Sequence, residues 1–145
     1  MSGKTWLAEF YPETAREAAE RGIVAAGKHC LQKWLGFTPE ALKKHHLHFD
    51  KFCVGALVNY RGEEITHAGP GYCAYCQALE IWQKGWQKGC KKCPLAHIAS
   101  GCYNENSPYR EFINTRDPSR LIAALRKALF WVQAREEEAN SSPGA

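Results

Sequence analysis

Between Gly71 and Cys102 the chain reads GYCAYCQALEIWQKGWQKGCKKCPLAHIASGC, a stretch that holds five of its seven cysteines. Two Cys-x-x-Cys units, Cys73 with Cys76 and Cys90 with Cys93, stand thirteen residues apart. A two-residue gap in a tight turn lets two thiolates converge on one ion. Two such turns supply four sulfurs at tetrahedral corners, about 2.3 Å from zinc. The intervening length suits a short helix that leaves one turn and returns to the other, and it falls slightly below the commonest spacing for paired units. Four thiolates on a divalent ion leave excess negative charge. Lys84, Lys88, Lys91 and Lys92 are placed to offset it, and no acidic residue lies between Glu80 and Glu105.

Three other uses of this sulfur compete with zinc. A redox dithiol at a helix N-terminus would have a lowered thiol pKa, but it calls for a βαβ frame that the sequence does not display. An iron–sulfur cluster would take the same thiolates. Buried, unliganded cysteine is the better reading for Cys30 and Cys53, which fall on apolar helical faces, but not for paired units. Zinc on Cys73, Cys76, Cys90 and Cys93 is therefore expected, and Cys102 is the alternative ligand in place of Cys90. His67 and His97 flank the cysteines and read as surface histidines before substitute ligands.

The segment from Cys73 to Tyr109, with CAYC, CKKCPL, Gly101-Cys102 and Ser107-Pro108-Tyr109, resembles small cysteine-rich proteins of phages and prophages. The resemblance covers about a quarter of the chain. It implies a zinc site and a mobile-element origin, and no known activity.

The rest of the chain is patterned for helices. Thr14 and Glu17 have capping-box spacing, in which each side chain satisfies a free amide of the first turn. Ala19, Ile23, Cys30, Leu31, Trp34 and Leu35 then share a face, so the pattern predicts a helix over 14–35 closed by Gly36. Gly22 and Gly27 weaken it, although a glycine also lets another helix approach closely. Thr38-Pro39 is a second start signal. Leu42, Phe49, Phe52, Cys53, Ala56, Leu57 and Tyr60 fit helical spacing better than the strand alternation of Phe52, Val54, Val58 and Tyr60. A helix over 39–61 is therefore expected, and the short link at 36–38 favours an antiparallel hairpin. Short helices are expected over 77–88 and 94–100. Asp117-Pro118 starts another, with a stripe of Leu121, Leu125, Leu129 and Val132.

The expected fold is mostly α. A helical hairpin over 1–66 and a C-terminal helix over 117–138 form the core of one compact domain. A four-cysteine zinc lobe over 67–116 is stitched on by Trp82 and Trp86, and a disordered tail occupies 139–145. With 145 residues, 45% of them hydrophobic and 12% aromatic, the chain has material for a real core.

The net charge of +4 permits a nucleic-acid partner without demanding one. The apolar run from Cys53 to Val58 is far short of the roughly 20 residues a bilayer requires. The start, MSGKTWLAEFYPE, lacks the apolar core of a secretory signal, so a cytoplasmic location is expected, in the host cell if the chain is phage-encoded.

No phosphate loop, GxSxG or HExxH appears, and four cysteines close the coordination shell that a zinc enzyme keeps open. His45, His46 and His48 make a poor clamp and read first as a basic face. The expected role is a non-enzymatic binding protein that blocks or redirects a host protein complex such as a defence nuclease. The alternative is a nucleic-acid-binding regulator that uses Lys84, Lys88, Lys91 and Lys92, with Trp82 and Trp86 either stacking on bases or packing the lobe.

Overall fold

The computed structural model describes residues 2–53, 55–68, 73–83, 93–98 and 105–141. It is mostly helical, with one small three-stranded sheet.

Helix α1 (Ser2–Phe10) buries Trp6 completely, and the Trp6 indole donates to the Gly36 carbonyl at 2.9 Å. A β-carbon at Gly36 would stand 2.7 Å from both Phe10 Cγ and Trp6 Cζ2. Glycine is needed there so that α1 can lie against the turn.

The capping box forms as expected. Thr14 Oγ1 accepts from the Glu17 amide and Glu17 Oε1 from the Thr14 amide, each at 3.1 Å. The helix it opens is short, however: α2 spans Ala15–Glu20 and α3 spans Ile23–Leu35. The single helix expected over 14–35 is broken at Gly22, whose φ of +118° is open to glycine and strained for other residues.

Helix α4 (Pro39–Lys44) starts where Thr38-Pro39 placed it, with the Thr38 hydroxyl accepting from the Ala41 amide. It does not continue to residue 61. His46 turns left-handed at φ 56°, and three strands follow: β1 (His48–Phe49), β2 (Ala56–Val58) and β3 (Glu64–His67). They form an antiparallel meander in the order β1-β2-β3. The Asn59 side chain holds the β2–β3 turn by accepting from the Arg61 and Glu63 amides at 2.9 and 3.0 Å. The apolar positions that matched a helical template are thus divided among α4 (Leu42), β1 (Phe49), the buried strand β2 (Ala56 and Leu57) and exposed loops (Phe52, Cys53 and Tyr60).

Beyond the sheet come α5 (Ala74–Gln83), α6 (Pro94–Ile98), α7 (Pro108–Thr115) and α8 (Ser119–Ser141). Helix α7 was not foreseen. Ser107-Pro108 begins it with the same hydroxyl-then-proline logic as α4: Ser107 Oγ accepts from the Arg110 amide at 3.1 Å. Asp117 caps α8, taking the Ser119 amide at 3.0 Å. That helix runs on to Ser141, through the first residues of the segment expected to be a disordered tail.

Helix α8 packs on α3, α6 and α7, and α5 packs on α2 and α3. Trp34, Phe37, Phe49 and Phe112 meet edge-on or tilted at centroid separations of 4.6–6.2 Å. Ala74, Tyr75, Ala78, Cys93 and Leu95 belong to the same buried cluster as Trp6, Trp34 and Leu121. The described parts of the cysteine region are therefore built into the main core.

Candidate metal centre in the core

Cys73 immediately precedes α5, and its carbonyl accepts the Gln77 amide at 3.0 Å. The CAYC motif therefore opens a helix, with Cys76 in the first turn. Amides of that turn point outward without intrahelical partners, and here they meet sulfur. The Cys76 amide bonds to the Cys73 sulfur and the Tyr75 amide to the Cys30 sulfur. A helix N-terminus favours negative charge in this position.

Cys30 comes from α3, fully buried, with its Sγ 3.8 Å from Cys73 Sγ. The pair shares a proton unequally. Hydrogen bonds from Cys30 and then Cys76, assisted by the charge of Lys33, hold the Cys73 thiol well below its ordinary value. The bond to Cys73, burial and the neighbouring negative charge push Cys30 well above. The two thiols are 3.8 Å apart and either can donate to the other.

Lys33 lies one helical turn beyond Cys30 and is only 1% exposed. Its ammonium stands 5.5 Å from the Trp34 ring centroid and 6.0 Å from that of Phe37. Burial lowers its pKa, while Cys73, Cys30 and Cys76 act in the opposite sense by attracting the charge. A buried lysine either pairs with an anion or gives up its proton more readily; here the nearby cysteines favour its charge and burial opposes it. Cys93 is buried just ahead of α6, and Cys76 is half-buried. Burial first, then the charges of Cys30, Cys93 and Cys73, raise the Tyr75 phenol. The Tyr75 hydroxyl has no hydrogen-bond partner among the described residues.

Of the four cysteines expected to bind metal, Cys73 and Cys76 stand at the start of α5 and Cys93 stands just ahead of α6; Cys73 contacts Cys30. Cys90, Cys102, Lys84, Lys88, Lys91, Lys92 and Trp86 lie outside the described residues, as do the side chains of Trp82 and His97. Cys30, expected as a buried cysteine, is buried; its contact with Cys73 and the burial of Lys33 were not expected. Their signal was present, since a lysine one turn from a cysteine on an otherwise apolar face is an expensive choice unless something there is negative.

The other expected residues go elsewhere. Cys53 is not on a buried helical face but exposed in the loop before β2, 3.4 Å from His67 Nε2. His45 and His48 do not share a helix, because α4 ends at Lys44. His45 is buried and pins α1, with Nε2 2.9 Å from Glu9 Oε1 and Nδ1 2.8 Å from Thr5 Oγ1. His48 is exposed on β1.

The sulfur geometry fits zinc in one respect and leaves one movement to be made. The edge of a tetrahedron whose corners lie about 2.3 Å from its centre is about 3.8 Å, the Cys30–Cys73 separation. No three of these sulfurs, however, lie within 4.8 Å of one another, a condition that Cys53, Glu64 and His67 do meet. Closing four sulfurs on an ion would require them to draw closer together. The chain matches no protein-family model, no curated protein and no solved structure in the comparisons made.

Proposed function

We propose that the chain is a non-enzymatic binding protein whose core is fastened by zinc. Cys73, Cys76 and Cys93 hold the ion, and Cys30 supplies the fourth sulfur in preference to Cys90 or Cys102. The observation that carries this reading is the Cys30–Cys73 contact of 3.8 Å beside a buried lysine. The Cys76 amide directed at the Cys73 sulfur supports thiolate character there, and Lys33 would offset the negative charge of a four-sulfur shell.

Such an ion would join α3, α5 and the start of α6, so its role is structural. Binding falls to the surface. Phe52 at 95%, Tyr60 at 72% and Phe130 at 75% exposed are large apolar groups in water, and Phe52 and Tyr60 both sit on loops of the sheet. The resemblance to phage and prophage proteins makes a host protein complex, such as a defence nuclease, the first partner. Nucleic acid held by Lys84, Lys88, Lys91 and Lys92 is the second.

Salt separates the two. A protein-directed complex made with the purified partner survives moderate salt. A nucleic-acid complex weakens steeply with it, and weakens again when those lysines become glutamate. The ligand assignment is tested by cobalt substitution of the reduced protein. Cys30→Ser should diminish the sulfur-to-cobalt charge-transfer absorption, and Cys90→Ser and Cys102→Ser should leave it unchanged. The opposite pattern restores the sequence-based set.

A further inference from the structure

We propose that Cys53, Glu64 and His67 form a second metal site, on the surface of the sheet, for a zinc-class divalent ion. Their ligand atoms, one sulfur, one carboxylate oxygen and one imidazole nitrogen, all lie within 4.8 Å of one another. The site shares no residue with the buried thiol cluster and does not depend on it.

The backbone builds this arrangement. In a regular strand, residues three apart face opposite sides, which would separate Glu64 from His67. The pairing of β3 with β2 is irregular, however: Leu57 faces Thr66 whereas Val58 faces Glu64. Ile65 is the extra residue of a bulge, which returns Glu64 to the side of His67, while Thr66 turns inward and is buried.

Cys53 is brought over this edge by a loop with its own hydrogen bonds. The Ala56 amide reaches the Cys53 carbonyl at 3.1 Å, the Asp50 amide reaches the Ala56 carbonyl at 3.0 Å, and the Phe52 amide reaches Asp50 Oδ1 at 3.0 Å. Gly55, at φ +93°, lets the loop close on β3. Its carbonyl takes the Ala68 amide at 2.9 Å, and a β-carbon on it would meet Ala68 Cβ at 3.0 Å.

The donor set selects the ion. A thiolate and an imidazole favour zinc and its neighbours over magnesium or calcium, which take oxygen. One thiolate and one carboxylate neutralise a divalent charge, so the site needs no buried counter-ion. Three protein ligands leave a fourth tetrahedral position to water, unlike the closed four-sulfur shell proposed in the core.

The test is metal uptake by the full-length reduced chain, with zinc and cobalt alone as probes. Wild type should take up one more equivalent of zinc than Cys53→Ser or His67→Gln, each with unchanged far-UV circular dichroism. Either variant should weaken that equivalent by at least ~100-fold, exceeding the ~10–100-fold cost of losing a group that only orients a ligand. Glu64→Gln should weaken it too. If Cys53→Ser and His67→Gln bind as many equivalents as wild type with the same affinity, or if wild type gains none at this site, the proposal is wrong and Cys53 and His67 are only a thiol–imidazole pair.

Discussion

Tyr75 shows how one residue is held between packing and chemistry. Its amide serves the Cys30 sulfur, its ring is fully buried, and its hydroxyl has no partner among the described residues. A buried hydroxyl left unsatisfied costs about 1–3 kcal/mol. Tyr75→Phe should therefore leave the melting temperature unchanged or raise it, and a clear drop would mean that the hydroxyl has a partner in solution. Among the described residues, three carboxylates are held below their ordinary values by hydrogen bonds. Glu9 is held down by Lys44 and then His45, Glu17 by the amide and hydroxyl of Thr14, and Asp117 by the hydroxyl and amide of Ser119. Their folded pKa values lie below their unfolded ones, so the folded state binds fewer protons. Their contribution is complete above about pH 4.5 and is lost as pH falls through the lowered folded values. Thermal melts from neutral to acid pH should show this decline, and Glu17→Gln with Asp117→Asn should flatten it. An acid limb of the same slope in the double variant would place the sensitivity elsewhere.

Among the elements, α3 is the hinge between fold and site, because it carries both Gly27 and Cys30. A β-carbon at Gly27 would lie 2.5 Å from Tyr75 Oη and 3.1 Å from Leu129 Cδ1, where α5 and α8 close on α3. Gly27→Ala gains about 1 kcal/mol of helix propensity and loses about 1–3 kcal/mol to overpacking. The expected result is a net drop in stability, read by urea denaturation, with weaker metal uptake because the helix bearing CAYC is displaced. A stabilised variant would show that the approach is looser than it stands here. These same elements mark what the sequence disclosed. Caps were legible: Thr14 with Glu17, Thr38-Pro39 and Asp117-Pro118 each start a helix, since their signals are local. What failed depended on distance. A strand alternation of Phe52, Val54, Val58 and Tyr60 was present, but more apolar positions fitted helical spacing, and nothing local announced the turn at His46, so periodicity suggested a helix over 39–61. Of the Cys30–Cys73 contact, one partner was singled out by the sequence. The CAYC and CKKC spacing named Cys73, Cys76 and Cys93, but Cys30 reaches Cys73 across 43 residues, a contact that packing of α3 on α5 creates.

At the scale of the whole molecule, the sulfur sits where the chain's parts converge. Helix α3 brings Cys30 and Lys33, the start of α5 brings Cys73 and Cys76, and the start of α6 brings Cys93. The aromatic cluster of Trp34, Phe37 and Phe112 adjoins this locus through Lys33. An ion there would tie together segments distant in sequence, and its removal would loosen the core. The most direct test is the zinc content of the natively purified, reduced Cys53→Ser protein, which lacks the surface site. The account predicts one tightly held equivalent per chain, abolished when Cys73→Ser is added. A Cys53→Ser protein that is folded and free of metal would contradict it.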